Sequence, residues 1–147
     1  MIFIDSNIWC YYLDQRLPEH VCVRKSMREI LKSEEIVNNT IIVMEVSHYI
    51  VRHFVEKIAR KKIDYFVNLG NMKIADFNRT MLNQTIASLL AYSYAEGLGG
   101  RDATVIASMQ LQYITKILSH DSIFKRLAKE LEIEVIDPAQ PTRPRDK

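Results

Sequence analysis

Residues 1–7, Met1-Ile2-Phe3-Ile4-Asp5-Ser6-Asn7, decide the fold. Apolar residues run into Asp5 with no polar break, the pattern of a buried strand that ends on a carboxylate. Ser6 and Asn7 offer helix-capping groups, and Ile8, Trp9, Tyr11, Tyr12 and Leu13 continue as a short apolar helix. In open α/β sheets, ligands sit beyond the carboxyl ends of the strands. Asp5 therefore stands where such a fold places chemistry.

Outward from this stretch, strand and helix patterns alternate. Leu17-Pro18-Glu19 starts a helix, with Val21, Met27, Ile30 and Leu31 on its core face and Arg24, Lys25, Arg28 and Lys32 on its wet face. A short strand follows over 35–38, then a helix from about Ile41, capped by Asn39 or Thr40. The basic stretch 52–63 keeps a helical apolar stripe and runs on to Leu69, where Gly70 ends it. A strand is expected over 72–77 and a helix over Arg79–Glu96, with Leu82, Ile86, Leu89, Leu90 and Ser93 on one face. The glycine loop Gly97-Leu98-Gly99-Gly100 leads to a helix opened by Asp102. Then come a strand over 113–118, a helix over 123–131 and a last strand over 133–136. This alternation predicts a mainly parallel sheet with helices on both faces. One domain is expected over 1–138, with a Pro- and Arg-rich tail over 139–147.

The chain has 147 residues, enough to bury about 68–70% of its unfolded surface in one core. With 48% hydrophobic and 26% charged residues, wholesale disorder is excluded. The net charge of +2 is too small to argue for nucleic acid, so local patches must do so. Cys10 and Cys22 form no C-x-x-C pair and are expected as buried free thiols. The uncharged runs 81–95 and 103–115 fall short of the roughly 18 apolar residues of a membrane helix. The opening residues leave no room for a signal-peptide core, so a cytoplasmic protein is expected.

Four acids stand out. Asp5, Asp102 and Asp121 all lie where a helix begins, and taken singly each is explained as an N-cap. Glu45 is the only formally charged residue from Ile36 to Val51; a solvent-facing glutamate explains it less well than the caps explain the others, because its flanks are apolar and a carboxylate there is costly unless paired or bound. Jointly they say more. Asp5 and Asp121 each follow a buried-looking strand, so both belong on one edge of a parallel sheet. Glu45 opens its helix on that edge, and the glycine loop can bring Asp102 there. Four acids in one place repel one another and raise their own pKa values, which a hard divalent cation resolves. Carboxylates without His or Cys suit Mg²⁺ or Mn²⁺, and the histidines form no zinc spacing. Such a site works on phosphate oxygens. The glycine loop lacks the Lys-Ser/Thr of a nucleotide-binding P-loop.

Ile4-Asp5-Ser6-Asn7, Val43-Met44-Glu45-Val46, Gly100-Arg101-Asp102-Ala103-Thr104-Val105-Ile106-Ala107 and Ser119-His120-Asp121-Ser122-Ile123-Phe124 resemble, in order, the four acidic motifs of PIN domains. Size and motif placement are most similar to the single-domain VapC-type toxins of toxin–antitoxin pairs. The resemblance implies a three-layer α/β/α sandwich and a Mg²⁺- or Mn²⁺-dependent ribonuclease. On it, Asp5, Glu45, Asp102 and Asp121 would be catalytic and bind the metal, Asn7 would orient a water or an acid, and Ser119 would support the last acid. It also implies a homodimer and a small antitoxin that inserts into the active site. Arg101 beside Asp102 and the basic stretch after Glu45 depart from the pattern. PIN domains also serve RNA processing and decay, so that role stays open.

RNA needs cations around the site. Candidates for substrate contact are Arg101, Arg52, Lys57 and Lys125; a solvated helix face explains the last three equally well. Trp9, Tyr11 and Tyr12 offer a stacking surface or, more simply, core. Against the ribonuclease stand a non-catalytic RNA- or protein-binding module, whose acids are only caps, and a structure-specific DNA nuclease.

Overall fold

A computed structural model describes residues 1–140. The elements are β1 (Ile2–Ile4), α1 (Ser6–Leu13), α2 (His20–Ser33), β2 (Ile36–Asn39), α3 (Thr40–His53), α4 (Glu56–Val67), β3 (Met72–Ala75), α5 (Arg79–Glu96), α6 (Gly100–Leu111), β4 (Lys116–Leu118), α7 (Ser122–Leu131) and β5 (Glu134–Ile136). The five strands form one sheet in the order β3-β2-β1-β4-β5, and every neighbouring pair is parallel.

This order positions the site. From β1 the chain steps to β2 and then β3 on one side; from β3 it crosses back to β4 and steps on to β5. Right-handed crossovers in opposite directions place their helices on opposite faces, so α1–α4 cover one face and α5–α7 the other. The expected three-layer α/β/α sandwich with a parallel sheet is the observed fold. Between β1 and β4 the connections part to opposite faces, which opens a crevice at the carboxyl ends of those two strands. β1 is fully buried, and Phe3 pairs in register with Val37 on one side and Ile117 on the other.

The core gathers Phe3, Trp9, Phe66 and Phe124, each fully buried, and burial of one such side chain contributes about 1.5–3 kcal/mol. Trp9 is core, not a stacking surface. Its Nε1–H donates to Asn38 Oδ1 (2.8 Å), and Asn38 Nδ2–H donates to Ile4 O (2.6 Å), so the polar end of β2 is satisfied inside the molecule.

Several sequence expectations give way to local geometry. The strand expected over 113–118 shortens to β4, because Tyr113 takes a left-handed turn (φ 55°) that ends α6, with Ile114 N–H donating to Met109 O (2.8 Å). The basic helix breaks at Phe54 and Val55, both extended, which separates α3 from α4. On α2, Val23 and His20 are buried while Val21 is exposed. On α5 the buried face is Met81, Thr85 and Ser88, and Leu82, Ile86 and Leu90 look outward. Thr85 and Ser88 hydroxyls return to the carbonyls of Met81 and Gln84, so two small residues with satisfied hydroxyls join Met81 on the buried side of α5. Cys10 is half-buried and Cys22 exposed; both are free. Among the described residues no helix is long and apolar enough to cross a membrane. Of the tail expected over 139–147, residues 141–147 fall outside the described residues; at its start Ala139 is buried and its N–H donates to Asp137 Oδ1 (3.0 Å).

Candidate active site

Asp5 follows β1 and caps α1. Its N–H donates to Leu118 O (2.9 Å), its Oδ1 accepts from Ser6 N–H (2.7 Å), and its Oδ2 accepts from Ser119 Oγ–H (2.7 Å). Ser119 Oγ in turn accepts from Asp121 N–H (3.0 Å), so one buried hydroxyl ties the ends of β1 and β4 together. Asp121 caps α7 through Ile123 N–H (3.0 Å). Asn7, half-exposed, accepts from His120 N–H at 3.5 Å, a contact to the loop between β4 and Asp121. Burial pushes the Asp5 carboxyl above the usual carboxylate range, with Ser119, Ser6 and Arg101 pulling it back.

Glu45 and Asp102 arrive on helices. Glu45 lies in the second turn of α3, and Asp102 in the first turn of α6, which Gly99 caps. Asn39 aligns the two helices. Its Oδ1 accepts from Ile42 N–H (2.8 Å) to start α3, and its Nδ2–H donates to Ser108 Oγ (2.8 Å) and Thr104 O (3.2 Å) on α6. The sequence marks Asn39 as a cap; its partners, more than sixty residues away, leave no local trace.

Arg101 stands among the acids. Its guanidinium lies 3.4 Å from Glu45 Oε1, 3.4 Å from Asp102 Oδ1 and 4.0 Å from Asp121 Oδ2. Burial pushes the Asp102 carboxyl up, and Arg101 opposes this. Glu45 Oε2 is buried and has no hydrogen-bond partner among the described residues. All four acids thus gather at one sheet edge, but around a guanidinium. Among the described residues, no three His, Cys, Asp or Glu side chains stand close enough to hold one metal ion between them. The four acids offer only oxygen donors; burial pushes the nearby Cys10 thiol up to about 12.

The candidate cations separate. Arg52 lines a cleft beside Glu45 and Arg101. Lys125 is tied to Asp137 (2.5 Å), as is His120 (2.9 Å), so both serve the last turn of the fold. Lys57 lies exposed on α4, outside that cleft. Missed by the sequence reading are Asp14, buried and gripped by Arg16, and the Tyr49–His53 pair on α3.

Comparison with known proteins bears on the fold. No curated protein matches the sequence. Solved structures share the fold at low identity, among them the following three. VapC20 of Mycobacterium tuberculosis, a sarcin–ricin-loop-cleaving toxin, is 15% identical with a TM-score of 0.69, over 86% of this chain and 94% of that one. VapBC2 of Rickettsia felis, bound to a promoter DNA fragment, is 17% identical with a TM-score of 0.70, over 93% and 98%. FitAcB of Neisseria gonorrhoeae is 18% identical with a TM-score of 0.68, over 94% and 98%. The family model of the PIN domain matches residues 2–130, and the chain belongs to the PIN-domain family.

Proposed function

We propose that this protein is a divalent-metal-dependent endoribonuclease that hydrolyses RNA phosphodiester bonds, acting as the toxin of a toxin–antitoxin pair. The observation that carries it is the gathering of Asp5, Glu45, Asp102 and Asp121 at the crevice between β1 and β4 of a PIN domain. The likeness to a loop-cleaving toxin supports the toxin role.

The four carboxylates would hold Mg²⁺ or Mn²⁺. The all-oxygen donor set and the unpartnered Glu45 Oε2 fit a hard cation, provided that Arg101 gives way. When bound, the ion supplies an activated water and neutralises charge on the attacking and leaving oxygens. The chain's own residues do the rest. Ser119 fixes Asp5 and Asp121 relative to each other. Asn7 steadies the loop that carries Asp121. Arg101, once clear of the acids, receives the scissile phosphate, and Arg52 a neighbouring one. A small antitoxin would block this edge. The outward stripe Leu82, Ile86, Leu90 and Tyr94 on α5 supports a homodimer. On that account Ile86→Glu turns a dimer into a monomer in light scattering; a monomeric wild type would rule the dimer out.

The test of activity is cleavage of a mixed RNA pool by the purified protein with Mn²⁺ or Mg²⁺, with EDTA, and by Asp5→Asn. Metal-dependent cutting that the variant and EDTA abolish is expected; full cutting by Asp5→Asn sinks the site assignment. One observation favours the non-catalytic module: Asp5 and Asp121 do act as caps, and Arg101 already balances their charge. Under that reading no RNA is cut and the melting temperature ignores Mn²⁺.

A further inference from the structure

Beside the acids a cleft of about 330 Å³ opens, with Ser6 and Cys10 of α1 on one wall and α3 on the other. Glu45 and Arg101 bound one end of it; Tyr49, Arg52 and His53 line the rest. Glu45, His48, Tyr49 and Arg52 recur at i, i+3, i+4 and i+7, so one face of α3 leads from the acids to Arg52, about 10 Å along the helix axis.

The far end of this cleft is built before any ligand arrives. Tyr49 Oη–H donates to Asp14 Oδ2 (2.8 Å), and Arg16 grips both oxygens of Asp14 (2.8 Å each). Those Arg16 hydrogen bonds hold the Asp14 carboxyl far below the usual range, so the clamp persists at neutral pH. His53 stacks on Tyr49 with ring centroids 4.1 Å apart and planes 20° apart, and its Nδ1–H donates to Tyr49 O (2.8 Å). Arg16 Nη2–H also donates to His53 O (3.0 Å). His53 is exposed, and its neighbour Arg52, also exposed, has no ion-pair partner among the described residues. A fixed aromatic platform beside an unneutralised guanidinium is the combination that holds single-stranded nucleic acid, base on ring and phosphate on cation. The groove along Val51, Phe54, Ala59 and Ile63 is apolar instead, the kind of lining that suits a protein chain.

We propose that the α3 cleft is a nucleotide subsite, in which His53 carries a base of the RNA strand and Arg52 takes its phosphate, so that the next phosphodiester lies over the acids. This rests on the ribonuclease reading above and adds the residues that set where the strand enters. The tyrosine, the aspartate and Arg16 are positioning residues that hold the platform flat.

The test is fluorescence anisotropy of a short labelled single-stranded RNA of mixed sequence, in EDTA so that no strand is cut. Arg52→Gln and His53→Ala are each expected to weaken binding about tenfold, the loss of one stacked or charged contact. His53→Phe, which keeps a flat ring, stays close to wild type. So does Lys32→Gln, a charge-matched control at the far end of α2. With Mn²⁺, Arg52→Gln raises KM and leaves kcat nearly unchanged. Wild-type-like binding by both Arg52→Gln and His53→Ala overturns the subsite and leaves the nuclease reading standing. A wild type that binds no RNA overturns both.

Discussion

Asp5 and Asp121 stand just past the ends of β1 and β4, cap α1 and α7, and are joined through Ser119. Glu45 and Asp102 ride on α3 and α6 and meet only through Arg101, at 3.4 Å on either side. The first pair is fixed by covalent neighbours and strand pairing. The second is set by how two helices dock, through Asn39, and is held by charge. One half of the site is therefore tied down by its own hydrogen bonds. The other half has an orphaned oxygen, Glu45 Oε2, and, on the proposed metal reading, an arginine that would give way to the ion.

Ser119→Ala strikes the tied-down half. It removes the hydroxyl that spans both acids, and a loss of about 10–100-fold in Mn²⁺ affinity is expected, as for other residues that orient metal ligands. Calorimetric titration reads this, and unchanged affinity would mean that the strand ends hold themselves. Asn39→Ala strikes the docking of the other half. It deletes a helix cap and a buried helix–helix contact, for a cost of about 2 kcal/mol in urea unfolding. A variant as stable as wild type would detach Asn39 from the account.

Arg101→Gln sharpens the contrast in the opposite sense. Without the guanidinium, the metal-free protein melts lower, because Glu45, Asp102 and Asp121 repel, and Mn²⁺ binds severalfold more tightly. Weaker Mn²⁺ binding by this variant would show that Arg101 supports the ion and does not compete with it. The smallest effect concerns pH. Burial raises the folded Asp5 carboxyl, so its ionisation costs stability as pH rises above the unfolded value of about 3.9. In EDTA, Asp5→Asn melts above wild type at neutral pH, and the gap closes as the solution is acidified towards that value. A gap that widens on acidification would reverse the sign assigned to burial.

The same contrast explains what the sequence makes legible. Asp5 follows its apolar run directly and Asp121 lies three residues past the end of β4, so strand, carboxylate and cap share one short stretch in each case. The parallel α/β order follows from the same alternation. Which face of α5 is buried does not, because the apolar stripe Leu82, Ile86 and Leu90 faces outward while Met81, Thr85 and Ser88 pack inward. The turn at Tyr113 is hidden for a related reason: a tyrosine takes the left-handed conformation usually left to glycine, and the strand pattern runs through it. The partners of Asn39 and Arg101, and the grip of Arg16 on Asp14 beneath Tyr49, depend on contacts between elements that no local pattern encodes.

The most direct test of a single site shared by both halves is Mn²⁺ binding, followed by electron paramagnetic resonance, to wild type, Asp5→Asn and Glu45→Gln. Wild type is expected to take up Mn²⁺, and both variants, one from each half, to lose it while staying folded. Mn²⁺ bound by Glu45→Gln as tightly as by wild type would contradict the account, leaving the strand-end acids alone with the metal.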